Sequence, residues 1–168
     1  AADHMRAKLN LKVGVVHITC FAPFPATQLV EALKNVKAMT VIERMDNPLA
    51  QANPLLQATK AAFADALSGL SYGSNGEFKY PKISRLPRIY ACSAGLGSRD
   101  VRSGHFIDLV KNMQAAQPRE FCVVGVKHAL ALPEGEDPDL RPEGAFSMRG
   151  HSVGGFGSVT TNKLIASF

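Results

Sequence analysis

A chain of 168 residues, 46% hydrophobic and 20% charged, is the size of one folded domain, or of one domain and part of a second. It is too apolar for a disordered segment. No apolar run is long enough for a membrane span, and Ala1-Ala2-Asp3-His4-Met5-Arg6 has no apolar signal core, so the expected location is cytoplasmic. Nineteen Lys and Arg against fourteen Asp and Glu give a net charge of +5 and a pI near 9.3. Such a bias suits an anionic ligand or an acidic partner, or simply a solvated basic surface. The cations are scattered along the sequence and Trp is absent, which speaks against nucleic acid.

In chain order, Asp3 to Lys8 reads as the tail of a helix whose beginning is missing. Lys12 to Ile18 reads as a buried strand, broken by the two prolines of Phe21-Ala22-Pro23-Phe24-Pro25. Ala26, Leu29, Val30 and Leu33 fall at i, i+3, i+4 and i+7 and predict a helix, with Pro25 where a helix start tolerates it. Ala38 to Glu43 is the second strand, and Asp46-Asn47-Pro48 is a turn. Pro54 to Leu67 is the second full helix, with Leu56, Phe63 and Leu67 along one side. Ser68 to Lys79 is a glycine-bearing loop. Ile89 to Cys92 is the third strand, and Gly95 to Asp100 a turn. The next helix shows Phe106, Leu109, Val110 and Met113 on one face, and Phe121 to Val126 is the fourth strand.

Apolar strands separated by helices indicate βαβ units and a mainly parallel sheet covered on both faces. The expected fold is a three-layer α/β/α open sheet over residues 9–132, with 1–132 as the first domain. Residues 133–144 hold three prolines, five acids and two glycines and read as a linker or an extended surface crossing. Residues 145–168 begin a new unit: a strand over Ala145 to Arg149, a glycine-rich loop, and a helix starting near Thr160. Barely two turns of helix follow, too little to bury a core, so the chain is expected to end inside a domain or in an arm that packs on the first.

The strongest local feature is Gly150 to Lys163, GHSVGGFGSVTTNK, between a predicted strand and a predicted helix. Its glycines permit positive φ and close backbone approach. A helix N-terminus offers free N–H groups and a positive dipole end. Ser158, Thr160 and Thr161 add hydroxyls, and Lys163 a mobile charge. The loop suits a phosphate or pyrophosphate, although it matches neither a P-loop nor a clean GxGxxG. It equally suits a strand-to-helix turn that merely needs glycine. In the second glycine turn, Gly95-Leu96-Gly97-Ser98-Arg99-Asp100, Ser98 or Asp100 is expected to cap the following helix, with Arg99 as a candidate contact for an anion or a neighbouring domain.

Cys20, Cys92 and Cys122 form no CxxC, so no zinc or iron–sulfur site is expected within this chain. Cys92 and Cys122 lie in apolar runs and read as buried reduced thiols; a reactive role for Cys20 stays open. His17, His128 and His151 have no metal-ligand spacing. His17 reads as a hydrogen-bonded packing residue in its strand. His128 falls just past the fourth strand, where α/β ligands gather, and His151 borders the glycine loop. A GxSxG elbow, paired catalytic carboxylates and a thiamine-binding GDG…N pattern are all missing from the sequence. No catalytic residue is named, and the chain looks underequipped as a complete enzyme.

Val13 to Pro25 (VGVVHITCFAPFP), then a helix, then Val41-Ile42-Glu43-Arg44, resembles the second domain of 2-oxoacid:ferredoxin oxidoreductases. That family carries an apolar strand running into a PFP turn and a later V-[LI]-[DE]-R strand. Ile89 to Asp100 (IYACSAGLGSRD) resembles its GLGS-K/R turn, Phe121 to Val126 its last strand of the domain, and Gly154 to Lys163 (GGFGSVTTNK) its GxDGTVxxNK loop. Phe156 stands where that loop often has an acid, and Ala22 where an Arg precedes PFP.

The resemblance implies a piece of a larger enzyme that oxidatively decarboxylates pyruvate or a related 2-oxoacid. Such an enzyme uses thiamine diphosphate, iron–sulfur clusters and coenzyme A, and passes electrons to ferredoxin or flavodoxin. It implies a transketolase C-terminal-like domain that assembles the enzyme rather than performing chemistry. It also implies that Gly154, Gly155, Gly157, Ser158, Val159, Asn162 and Lys163, at the start of the coenzyme A-binding domain, help hold coenzyme A. The expected partners are the other domains of the parent and no nucleic acid or membrane. The chain itself is expected to hold no metal, and an apolar patch left by the orphaned strand and loop would promote self-association. The alternatives are a stand-alone phosphate- or nucleotide-binding module and a purely structural interaction domain.

Overall fold

A computed structural model describes residues 1–72, 78–146 and 157–167. The chain forms two compact units, Ala1–Pro138 and Asp139–Phe168, divided inside the proline- and acid-rich stretch. In the first unit, α1 (Ala2–Leu9), α2 (Ala26–Leu33), β1 (Ala38–Glu43) and α3 (Pro54–Ser68) come first. A short hairpin follows, β2 (Ser71–Tyr72) and β3 (Phe78–Lys79), and then β4 (Arg88–Ala94), α4 (Ser103–Gln114) and β5 (Phe121–Val124). The second unit holds α5 (Ser158–Ile165). None of the helices searched is long and apolar enough to cross a membrane.

The sheet is parallel, in the order β1-β4-β5. Its register runs from Ala38↔Arg88 to Glu43↔Ser93 and from Ala91↔Phe121 to Ala94↔Val124. Side chains alternate across a strand, which divides the apolar residues between two faces. On one face, Ile42, Cys92, Ala94, Cys122 and Val124 meet Leu109 of α4 and Leu132. On the other, Met39 and Ile89 meet Val30 of α2 and Ala62, Phe63 and Ala66 of α3. Helices on both faces explain why these strands are nearly continuous apolar runs. α4 is buried on a second side as well: Ile107 and Val110 pack with Met5 of α1, Leu11 and Val13. The mainly parallel three-layer α/β/α fold expected from the sequence is the one observed.

Residues 12–18 do not form the expected strand. They are irregular chain, with Val15 68% and Val16 46% exposed. β1 pairs along one edge of β4 and β5 along the other over Ala91–Ala94, and the segment joins neither outer edge of the sheet. The two ends of the segment are also drawn apart. Leu11 and Val13 pack on the α4 side, whereas Phe24 and Ala26 pack in the α2–α3 cluster, and the intervening chain crosses from one face of the sheet to the other. His17 is therefore exposed rather than a packed strand residue.

The loop expected over 68–79 contains the β2–β3 ladder, Ser71↔Lys79 and Tyr72↔Phe78. Of the strand expected over 145–149, Ala145 and Phe146 are irregular and exposed, and the rest lies outside the described residues.

Phe63 is fully buried between α2 and the sheet, so Phe63→Ala leaves a cavity as well as losing transfer free energy. It is expected to lower unfolding free energy by about 3–5 kcal/mol, measured by urea denaturation. Leu49→Ala, at a side chain 98% exposed, is the control and is expected to stay within about 0.5 kcal/mol.

Candidate functional site

The carboxyl ends of β1 and β4 are joined through side chains. α3 begins at Pro54, whose missing N–H costs nothing at the first helical position. Its next two amides, Leu55 N–H and Leu56 N–H, donate to Glu43 Oε1 and Oε2 at 2.8 and 3.2 Å. Gln57 N–H reaches Asn53 O at 3.0 Å. Every orphan donor of that helix start therefore has an acceptor or does not exist. Asn53 makes no cap bond with its side chain. It donates instead to Met45 O at 2.9 Å and Ser93 Oγ at 3.3 Å, and accepts from Asn47 N–H at 2.9 Å. Asn53 and Ser93 are both buried.

Arg44 continues the brace. Its Nε–H donates to Gly95 O at 3.4 Å. Gly95 has φ +65°, a conformation that favours glycine, and a Cβ there would make a tight 3.2 Å contact with the Arg44 side chain. Neither Ser98 nor Asp100 supplies the cap expected for α4. The N-cap residue is Arg102, whose backbone N–H donates to His105 Nδ1 at 3.1 Å. Asp137 Oδ1 accepts from Gly104 N–H at 2.8 Å.

Residues 134–137 are thus latched to α4. Arg102 pairs with Glu134 at 2.9 Å and with Asp137 at 3.5 Å, and Gly135 N–H donates to Asp108 Oδ2 at 3.1 Å. A Cβ on Gly104 would approach Glu136 O to 2.8 Å, so the strap lies against bare backbone. Farther along, Asp139 and Arg141 pair at 2.6 Å, and the guanidinium holds the Asp139 carboxyl down at about 2.

A cleft of about 440 Å³ opens beside α3, floored by Ile89, Ala91 and Phe121 and rimmed by Asp46, Lys60 and Glu120. It has room for a small polar group, and its lining holds no Ser, Thr, Cys or His. The other candidates do not converge on one site. His128 is exposed and its Nδ1 accepts from Leu130 N–H at 3.2 Å within a turn. Cys92 and Cys122 are register partners buried on one face, and the Cys92 thiol is pushed up by its hydrogen bond to Cys122 and by burial. Cys20 is exposed. Among the described residues, no group of three His, Cys, Asp or Glu side chains could hold a metal ion.

In the second unit, Gly157 is the N-cap of α5 at φ +73°, and the helix has no side-chain cap bond. Thr161 N–H donates to Gly157 O at 3.0 Å. Val159 and Lys163 are exposed, Asn162 is half-buried, and Lys163 falls in the last turn. The backbone of Ser158 opens the helix. Gly154, Gly155 and His151 lie outside the described residues. Asn53, Ser93, Arg102 and Asp137 were not singled out by sequence reasoning. Asn53-Pro54 alone carried a signal, as a helix-start pair.

Residues 1–82 match the family model described as pyruvate:ferredoxin oxidoreductase core domain II. The chain is 30% identical over 159 residues to the "Probable pyruvate-flavodoxin oxidoreductase" of Escherichia coli K12. It is 26% identical over 166 residues to the pyruvate-flavodoxin oxidoreductase of Enterobacter agglomerans, and 26% over 156 residues to the pyruvate:ferredoxin oxidoreductase of Moorella thermoacetica. These alignments cover 90%, 96% and 90% of the chain but 12%, 13% and 12% of the relatives.

Two outcomes follow from the geometry. Glu43→Gln keeps the shape but loses one acceptor and the charge at the α3 start, and is expected to cost about 1–2 kcal/mol of unfolding free energy; an unchanged denaturation midpoint would mean that water serves those amides equally well. Iodoacetamide under native conditions is expected to label Cys20 alone, with Cys92 and Cys122 labelled only in denaturant, as counted by intact-mass spectrometry.

Proposed function

The chain belongs to the family of pyruvate:ferredoxin and pyruvate:flavodoxin oxidoreductases, and from that premise we propose that it serves as a structural and assembly domain of such an enzyme, with no chemical step of its own. One observation carries the reading. The motif residues Glu43 and Arg44, with Asn53 beside them, are consumed in bracing at the carboxyl edge of the sheet: Glu43 in the start of α3, Arg44 against Gly95, Asn53 between Met45 and Ser93. An acid that accepts two amides and an arginine laid along a glycine turn hold elements together; they are not poised over a substrate.

The parent activity we infer is oxidative decarboxylation of pyruvate or a related 2-oxoacid to an acyl-coenzyme A, with ferredoxin or flavodoxin as electron partner, in the cytoplasm. Thiamine diphosphate and iron–sulfur clusters would supply the carbanion and electron chemistry there. The three cysteines of this chain do not fit an iron–sulfur cluster: Cys92 and Cys122 are buried register partners and Cys20 is exposed and apart from them. The assignment therefore leaves those groups to other domains or subunits. We assign residues 1–132 to a transketolase C-terminal-like domain, 133–144 to a connecting stretch and 145–168 to the start of the coenzyme A-binding domain.

For that last piece, we infer that the loop Gly154, Gly155, Gly157, Ser158, Val159, Asn162 and Lys163 contacts the phosphates of coenzyme A. The uncapped first turn of α5 leaves amides free for an anion, and Lys163 is an exposed cation. A stand-alone phosphate-binding module rests on this same loop. Exposed Val15, Val16 and Phe21 favour burial against a neighbour, whether another domain or a second copy.

Titration calorimetry of the chain with coenzyme A tests the loop. Binding that weakens about three- to tenfold in Lys163→Ala is expected; binding indifferent to the substitution would remove the loop contact. Reduction of methyl viologen by the chain alone, supplied with pyruvate and coenzyme A, would overturn the assembly role, since no turnover is expected.

A further inference from the structure

Residues 79–89, Lys-Tyr-Pro-Lys-Ile-Ser-Arg-Leu-Pro-Arg-Ile, repeat with a period of three. Cations stand at 79, 82, 85 and 88, and apolar residues at 80, 83, 86 and 89. The structure sorts the two phases. Tyr80, Ile83 and Ile89 pack against the cluster around Phe63, and Pro87 is buried. Lys79, Lys82, Arg85 and Arg88 are all exposed. Lys37 extends the row: it is exposed, and its carbonyl accepts from Arg88 N–H at 3.1 Å.

The row lies where β1 and β4 begin, at the amino edge of the sheet. That edge is opposite the brace at Glu43 and opposite the carboxyl edge where α/β ligands gather. The ion pairs of the described residues are Arg6–Asp3, Lys34–Glu31, Arg102–Glu134, Arg102–Asp137 and Arg141–Asp139. None of them uses Lys37, Lys79, Lys82, Arg85 or Arg88. Only the apolar phase is needed to anchor the segment; any polar residue would serve in the other phase. Four like charges held along a row of at most about 30 Å raise the local potential and repel one another.

We propose that this row is a docking surface for a partner protein that presents a matching line of carboxylates. The inference goes beyond the assembly role and does not depend on it. Two other occupants fit less well. Single-stranded nucleic acid needs exposed aromatic rings on which bases stack, but Tyr80 is half-buried in the core cluster. A lipid surface needs an apolar face turned outward beside the cations, but here the apolar phase is turned inward except at Leu86.

The test uses the full chain and a fluorescein-labelled oligoglutamate, with an oligothymidylate of equal charge as the competing probe, read by anisotropy at low and moderate salt. Oligoglutamate binding that fades with salt is expected. The double variant Lys82→Ala/Arg85→Ala should weaken it about five- to tenfold. Lys8→Ala/Lys127→Ala, which removes the same charge from two exposed positions outside the row, should leave it nearly unchanged. Thermal melts check that both variants fold; should the first melt early, Lys82→Gln alone repeats the comparison. Equal weakening by both double variants would mean that net charge alone attracts the peptide. Tighter binding of oligothymidylate would make the row a nucleic-acid surface. Either result, or no binding of oligoglutamate at low salt, would overturn the proposal.

Discussion

The carboxylate of Glu43, at the end of β1, accepts the first two available amides of α3. The arrangement of the first unit depends on that contact. It fixes where α3 starts relative to the sheet, and so which side of α3 faces the strands. Leu56, Ala62, Phe63 and Ala66 are buried as a result. Asn53 is bound to the same point from the other side, through Met45, Asn47 and Ser93. A buried amide with three partners on two segments is costly to disturb, because any loss leaves a desolvated group unpaired. The loop between strand and helix is therefore held by polar geometry, while the apolar cluster supplies the bulk of the burial.

A similar device secures α4. Its N-terminal amide at Gly104 goes to Asp137, and Arg102 gathers Glu134 and Asp137. The acid-rich stretch after β5 is consequently not a free tether over its first residues. It closes over the helix start, and Leu132 just before it reaches the core beside Cys92 and Cys122. Acids near a helix N-terminus are favoured by its partial positive charge, which gives this stretch a local reason for its composition.

The family motif takes on a physical meaning in this light. Val41 and Ile42 fill a strand, Glu43 starts a helix, and Arg44 lies against a glycine whose positive φ disfavours any side chain. These residues act on one another. With these distinctive residues spent internally, the exposed features become the places to look for contacts. The row from Lys79 to Arg88 is such a feature. Its cations looked scattered when counted along the chain, and only their common exposure, with the intervening apolar residues turned inward, gathers them into a surface.

The sequence by itself determined the local elements. Ala26–Leu33 and Ala38–Glu43 match the ranges read from apolar spacing, and α3, β4, α4 and β5 lie within a few residues of theirs, because periodicity, Pro54 and the glycines at 69 and 95 act over single turns. The strand-like composition of residues 12–18 was equally plain, yet the segment pairs with no strand of the sheet, because packing at Leu11 and Val13 on one side and at Phe24 on the other draws its ends to opposite faces. Only the tertiary structure could decide that, just as it alone decided that Asp137 rather than Ser98 or Asp100 meets the start of α4. Those partners are 33 residues apart, and no local pattern encodes a contact made by chain closure at that distance.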